Sequence, residues 1–261
     1  MSLVMDKLKE QYDFILTKYP NNNVIGIFLV GSQNYRTDIN TSDVDSKVLI
    51  TPTLKEIYEN KRGENKTYKT KSGEVTVKDI RCFLKELKKQ NINIIETLFT
   101  DFCIVNEPYK NIIEELRKHR NEIAVYDRLR SMKSTKGIAF QYYNKIFGAD
   151  GKVNPKHVAN LIRLENYVKN YIENKEYLEC IQPKGEQLEF IKQIRAGELG
   201  QSSLIQIADG TINSINILID AYEKRNDIPN PNFEIEILLD SICKEIIDTS
   251  FFIEYASNGE I

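Results

Sequence analysis

The stretch Val24-Ile25-Gly26-Ile27-Phe28-Leu29-Val30-Gly31-Ser32, followed after a polar spacer by Ser42-Asp43-Val44-Asp45, decides how this chain is read. An apolar run without alternation suits a central strand covered on both faces. A glycine and a serine at its end, opening a short helix, can bring backbone N–H groups and a hydroxyl against a phosphate, because Gly31 has no Cβ to block the approach. Asp43 to Thr51 reads as a second strand, with Asp43, Asp45 and Lys47 on one side and Val44, Val48 and Ile50 on the other. Carboxylates two positions apart on a strand project from one face, so Asp43 and Asp45 are placed to hold divalent cations together.

Hard oxygen ligands suit Mg²⁺, or Mn²⁺ in its place, bound through a few carboxylates while waters and substrate phosphates complete the shell. In a two-metal site the ions sit about 3.5–4 Å apart, one activating an attacking hydroxyl and the other neutralising the leaving group. Such a site needs a third carboxylate from a neighbouring strand. Glu74 and Asp79 are the candidates: alternation in Glu74-Val75-Thr76-Val77-Lys78 puts Glu74 on a strand face, whereas Asp79 also reads as the N-cap of the next helix.

Outward from this core, Met5 to Lys18 carries Leu8, Tyr12, Ile15 and Leu16 at helical spacing and ends at Pro20. The Met-Ser-Leu start, followed by Met5, reads as a leader outside the fold. A polar loop lies around Lys61 to Asn65, before the third strand. Beyond Asp79 the pattern turns helical, with segments at Ile80 to Gln90, Ile94 to Phe99 and Tyr109 to Lys118, then long periodic stretches to Ile247. Strands first and helices afterwards predict an α+β chain, with a mixed-sheet domain over 1–108 and an all-helical domain over 109–261. Pro229-Asn230-Pro231-Asn232 reads as the loop between the last two helices.

With these residues in hand, the chain resembles the nucleotidyltransferases of the DNA polymerase β superfamily, whose mark is a strand, Gly-Ser, a short spacer and Asp-x-Asp on the next strand. More narrowly it is similar to predicted bacterial and phage nucleotidyltransferases sometimes linked to RNA repair. The likeness continues through Glu74, Asp79-Ile80-Arg81 and Asn91-Ile92-Asn93-Ile94-Ile95-Glu96-Thr97-Leu98. It resumes at Lys136-Gly137, Lys156-His157 with Leu161-Ile162-Arg163-Leu164, and Ile194-Arg195-Ala196-Gly197-Glu198-Leu199. Lys47 stands where the family often has arginine, Cys82 where a lysine is common, and Ile92 in place of a proline.

The resemblance implies a small mixed-sheet catalytic domain with a helical domain over the substrate. It also implies metal-dependent transfer of a nucleoside monophosphate from a nucleoside triphosphate to an acceptor hydroxyl, releasing pyrophosphate. Asp43, Asp45 and Glu74 would be the catalytic and metal-holding carboxylates for two ions. Gly31 and Ser32 would hold the β- and γ-phosphates, and Lys136, Lys156 and Arg195 the remaining charge. An RNA 3′ end is the first acceptor to consider, then a protein hydroxyl (AMPylation) or a small molecule such as an aminoglycoside. A catalytically silent nucleotide-binding module is the reading from another class.

Composition sets outer bounds. With 261 residues, 41% hydrophobic and 28% charged, collagen-like, coiled-coil and disordered readings are out. The net charge of −2 does not suggest a protein that coats long duplexes. By region, however, residues 110–175 carry 14 Lys plus Arg against 7 Asp plus Glu, and residues 176–261 carry 6 against 16. A basic middle beside a carboxylate site fits an anionic substrate. Two histidines, His119 and His157, exclude a zinc site of several imidazoles. Cys82, Cys103, Cys180 and Cys243 are dispersed, which reads as reduced, mostly buried thiols in a cytoplasmic protein, and no apolar run reaches membrane-spanning length.

Several features have plainer readings. Gly148-Ala149-Asp150-Gly151-Lys152 lacks the Ser/Thr of a phosphate loop and reads as a turn. Tyr142-Tyr143 and Phe251-Phe252 read as packing residues rather than base-stacking platforms. Glu96, among apolar neighbours, suits burial against a backbone group or Arg81 as well as it suits a site. His157 fits either a solvated helix or a phosphate- or acceptor-binding face.

Overall fold

The structure, a computed structural model, describes residues 2–257. Val24–Val30 forms β1, buried along nearly its whole length, and stands between β2 (Asp45–Ile50) and the short β5 (Cys103–Val105), antiparallel to both. β2 runs parallel to β4 (Glu74–Asp79), and β4 pairs antiparallel with the edge strand β3 (Asn65–Lys69), giving the order β3-β4-β2-β1-β5. Helix α1 (Ser2–Leu16) covers one face: Leu8 and Ile15 pack with Val24, Ile27, Val48 and Val77. Leu49 and Phe28 point to the other face, into a core shared with the helices. An irregularity in pairing between Val24 and Gly26 lets β1 feed both layers out of strict alternation.

α2 (Ser32–Tyr35) and α3 (Leu54–Tyr58) are short helices within the sheet connections. Asp79 caps α4 (Ile80–Lys88), its carboxylate accepting from the Arg81 N–H at 2.8 Å. α5 (Ile92–Ile95) then passes into a 3₁₀ turn at Glu96–Leu98. The helical part continues with α6 (Lys110–Lys118), α7 (Arg120–Val125) and α8 (Arg128–Tyr143). After it come α9 (Pro155–Ile172), α10 (Tyr177–Ile181), α11 (Gly185–Ala196), α12 (Gln201–Glu223) and α13 (Glu234–Ser257). α9 is central, packed by α8, α10, α11 and α12, and buries Leu161, Leu164, Tyr167 and Val168.

The α+β expectation holds: a five-stranded mixed sheet comes first and a helical portion follows. α1 begins at Ser2, so Ser2 and Leu3 of the expected leader are helical; Met1 lies outside the described residues, as do 258–261. α13 folds back onto α4 and α6, and Ser250 shares a 2.8 Å hydrogen bond with Thr51 at the end of β2. One continuous apolar cluster therefore runs from Ile25 in the sheet to Ile246 in the last helix. Of the cysteines, all unpaired, Cys180 is buried and the other three are half-buried, less enclosed than their spacing suggested. Phe252 is 65% exposed and so is not a packing residue. No helix among the described residues is long and apolar enough to cross a membrane.

Candidate nucleotide-binding cleft

At the carboxyl end of β1 the chain makes the turn that only glycine adopts freely: Gly31 has φ +77° and ψ −151°. This turn starts α2 at Ser32 and opens a cleft of about 390 Å³. Gly31, Ser32 and Tyr35 line it from the connection between β1 and β2, Asp45, Ser46 and Lys47 from β2, and Glu74 and Thr76 from β4. Asn93 and Glu96 complete the sheet side, and Tyr142, Lys156, His157, Asn160 and Arg195 form the helical wall.

Asp45 and Glu74 are brought together by backbone rather than by chance. The Glu74 N–H donates to Asp45 Oδ1 at 3.1 Å. Gly73, at φ +149°, lies so close to the neighbouring chain that a Cβ there would overlap the Val44 carbonyl, 2.7 Å from its carbon and closer still to its oxygen. Val44 itself is fixed from two sides, its N–H donating to Ser72 O at 2.8 Å and its carbonyl accepting from the buried Gln11 Nε2 at 2.7 Å. Gln11 thus acts from α1, behind the carboxylate. Sequence inspection passed over both Gln11 and Gly73; the one available signal was a glycine directly before Glu74.

Asp43 is not among the residues lining the cleft and is exposed. The alternation argument placed it beside Asp45, but β2 begins at Asp45, so Asp43 precedes the pleat and period two does not govern it. Among the described residues no three His, Cys, Asp or Glu side chains are grouped so as to cage a metal ion. Lys136 is also elsewhere: on α8 its Nζ pairs with Asp220 Oδ1 of α12 at 2.6 Å. Asp79, the alternative third carboxylate, is buried and committed to capping α4 and to a bidentate pair with Arg81.

Beneath the open carboxylates lies a second, buried layer of charge. Glu96 is 4% exposed; it accepts from the Gly31 N–H at 3.3 Å and from Asn34 Nδ2 at 3.5 Å, so it holds the glycine turn rather than pairing Arg81. Burial raises its pKa, an effect opposed by the nearby Lys47 and Arg163 charges. Lys47 is 7% exposed, donates to Asn93 O at 2.8 Å and to Thr97 Oγ1 at 3.4 Å, and is pushed by burial down to about 8. Arg163 of α9 is fully buried with its guanidinium carbon 3.8 Å from the Tyr35 ring centre. Such a desolvated cation–π contact contributes about 2 kcal/mol. Its Nε and Nη1 have no partner in the protein, so the stacking offsets only part of the cost of burying the charge. With Gln182 Nε2 donating to Asn34 O at 3.1 Å, it ties the helical part to α2.

Arg195 reaches the rim from the last turn of α11, its Nη2 donating to Ser42 Oγ at 3.2 Å. Burial lowers its pKa, while Asp38 and Asp45 act in the opposite direction. Lys156 is exposed at the start of α9, where Asn154 caps the helix and the first-turn N–H groups add partial positive charge. The half-buried Tyr142 packs against the core and also lines the cleft, its ring centre 5.7 Å from that of His157. The arrangement therefore sets two open carboxylates and a glycine-serine turn opposite cations on a helical wall. It can hold a polyanion whose charge is shared with a divalent cation.

Comparison with protein families and with curated proteins finds no match. Among solved structures, a nucleotidyltransferase-like protein from Exiguobacterium sibiricum 255-15 superposes with a TM-score of 0.31 and 12% identity, covering 83% of this chain and 75% of that one. A superposition this loose assigns neither activity nor substrate.

Proposed function

We propose that the chain is a nucleotidyltransferase that moves a nucleoside monophosphate from a nucleoside triphosphate to an acceptor hydroxyl. The observation that carries this reading is the convergence of Gly31, Ser32, Asp45 and Glu74 on one open cleft faced by Lys156 and Arg195. In the reaction the acceptor oxygen bonds to the α-phosphorus, the bond from that phosphorus to the β-bridging oxygen breaks, and pyrophosphate leaves with the electron pair. The hydroxyl proton passes to a cleft carboxylate or to water.

The donor set suits Mg²⁺, which is commonly held by one or two carboxylates together with substrate phosphates. Asp45 and Glu74 would hold it, and when bound the ion would supply neutralisation of triphosphate charge. A second ion of a pair would need Asp43, which does not line the cleft, so an unchanged Mg²⁺ titration in Asp43→Asn points to one ion and a changed one to two. Ser32 and the Gly31 turn orient the distal phosphates, Lys156 and Arg195 attract and clamp them, and the buried Glu96 keeps the turn in shape. Positioning and fixed charge supply most of the rate in such a reaction. In this division of labour residues 1–108 provide the carboxylates and 109–261 the substrate-binding cations.

The test is incubation with labelled nucleoside triphosphates, Mg²⁺ and a panel of RNA, protein and small-molecule acceptors. Transfer with pyrophosphate release, abolished in Asp45→Ala, supports the reading; equal transfer by that variant removes it. Nucleotide binding without pyrophosphate release supports a silent binding module, a reading favoured by the absence of a three-carboxylate cluster among the described residues.

A further inference from the structure

The helical wall of the cleft carries a feature that phosphate binding does not use. Tyr142 sits in the last turn of α8 and His157 in the first turn of α9, with rings tilted by 37°. The link between these helices is braced by the Phe147–Val153 bridge and by the Asn154 N–H on Ile146 O at 2.6 Å, so the ring pair is presented by a fixed scaffold. The fully buried tyrosines Tyr109, Tyr167 and Tyr171 are at most 1% exposed. Tyr142 packs against the core with part of its ring and leaves the rest half-open over the cleft.

His157 lacks a structural task. Its Nδ1 is buried without a partner. Burial, reinforced by Lys145 and Lys156, lowers its pKa, which leaves a neutral, flat ring at neutral pH. Asn160 follows one turn later on the same face of α9 and lines the cleft with a carboxamide, one donor and one acceptor group side by side. Along this face the order is cation, ring, amide: Lys156, His157, Asn160.

That order matches a nucleotide read from its phosphates to its base. Resting on the nucleotide reading above, we propose that Tyr142 and His157 form the platform on which the nucleobase stacks and that Asn160 hydrogen-bonds its edge. A ring face accepts any base, so the platform sets affinity, whereas a carboxamide pairs with a particular donor-acceptor pattern and sets preference.

The test is calorimetric titration of the full chain with Mg²⁺ complexes of ATP, GTP, CTP and UTP, and with inorganic tripolyphosphate, which has the charge but no base. The wild type should bind a nucleoside triphosphate at least tenfold more tightly than tripolyphosphate. Tyr142→Leu should weaken the nucleotide about tenfold and leave tripolyphosphate unchanged, Tyr142→Phe should restore the wild-type value, and Asn160→Ala should level the preference among the four bases. Equal losses for both ligands in Tyr142→Leu, or no loss for either, overturn the platform while leaving the nucleotide reading intact. An unchanged base preference in Asn160→Ala overturns the edge contact. A wild type that binds neither ligand in the presence of Mg²⁺ overturns the nucleotide reading and the base subsite with it.

Discussion

Gly73→Ala tests the geometry of the cleft more sharply than removal of a charged residue, because it adds one methyl group to the backbone that places Glu74 beside Asp45. A Cβ at this position would lie 2.7 Å from Val44 C and nearer still to Val44 O, far inside contact distance, and the backbone is at φ +149°. The obstacle is backbone, and it cannot retreat cheaply. Moving Val44 breaks the 2.8 Å bond to Ser72 O or the 2.7 Å bond from Gln11 Nε2. Strain at the glycine conformation and overpacking each cost about 1–3 kcal/mol, so the substitution should destabilise by about 3–5 kcal/mol. For a chain of this size that lowers the melting temperature by about 10 °C. Gly137, inside α8 with open space for 4 Å around the place a methyl would take, supplies the internal comparison. Gly137→Ala gains about 1 kcal/mol of helix propensity and should raise the melting temperature by a few degrees. Scanning calorimetry gives both shifts, and nucleotide titration shows whether Gly73→Ala also opens the Asp45–Glu74 pair. A Gly73→Ala protein that melts with the wild type and binds nucleotide equally would refute the flush packing of the 70–74 turn on Val44.

Other perturbations separate the layers of the site. Gly31→Ala meets Asp45 Oδ2 at an ordinary 3.5 Å, so its cost is backbone strain of about 1–3 kcal/mol; it should weaken nucleotide binding more than it lowers the melting temperature, and the reverse ranking would count against a phosphate-facing turn. Lys156→Ala and Arg195→Ala should each weaken triphosphate binding several-fold with a reduced salt dependence, whereas Lys136→Ala, whose charge is engaged by Asp220, should leave it unchanged. Equal losses in all three would show that net charge, rather than the cleft, governs affinity. Lys47 is held at about 8 against an ordinary 10.5, so between these values the unfolded chain binds more protons than the folded one and stability rises with pH. The gap amounts to about 3 kcal/mol, absent in Lys47→Met; urea titrations of both proteins from pH 7.5 to 10.5 measure it, and parallel curves would contradict the buried charge.

The elements most open to sequence reading were those in which local pattern and tertiary role agree. β1 is apolar on both faces because both are covered, and its bounds are those the run of residues predicts. β3 escaped notice because an edge strand spelled Asn-Lys-Thr-Tyr-Lys has no apolar alternation; edge strands avoid it, since exposed apolar edges pair with other chains. β5, three residues long, is recognisable only through its pairing with β1. In the cleft, Gly31, Ser32, Asp45 and Glu74 were accessible because each sits at a strand end, where sequence position fixes location. Asp43 and Lys136 were misplaced for the complementary reason. A residue just outside a strand does not share its pleat, and a lysine on a helix can face any neighbour the bundle supplies. Tyr142 was read as packing and does pack against the core; the sequence pattern could not show that the meeting of α8 and α9 also leaves its ring lining the cleft.

The two layers of charge explain why the site tolerates so many ionisable groups in a small space. Glu96, Lys47 and Arg163 are buried and held by backbone, neighbouring charge and, for Arg163, a ring face that leaves two guanidinium nitrogens unpartnered, so they cannot follow a substrate as it arrives. Asp45, Glu74, Lys156 and Arg195 line the open cleft, where they can exchange water for ligand. A buried group that held the turn and also bound phosphate would have to break its structural bonds at each encounter. The separation instead lets the buried layer fix geometry in advance, the condition under which fixed charges stabilise a developing one without reorganising. It follows that conservative changes below the cleft, such as Glu96→Gln, should alter the shape of the Gly31 turn and so slow transfer and weaken nucleotide binding together. Changes at Lys156 or Arg195 should weaken binding with a smaller effect on the rate of transfer. Comparing KM with kcat for the two groups is the measurement that distinguishes a preorganised site from one assembled by its ligand.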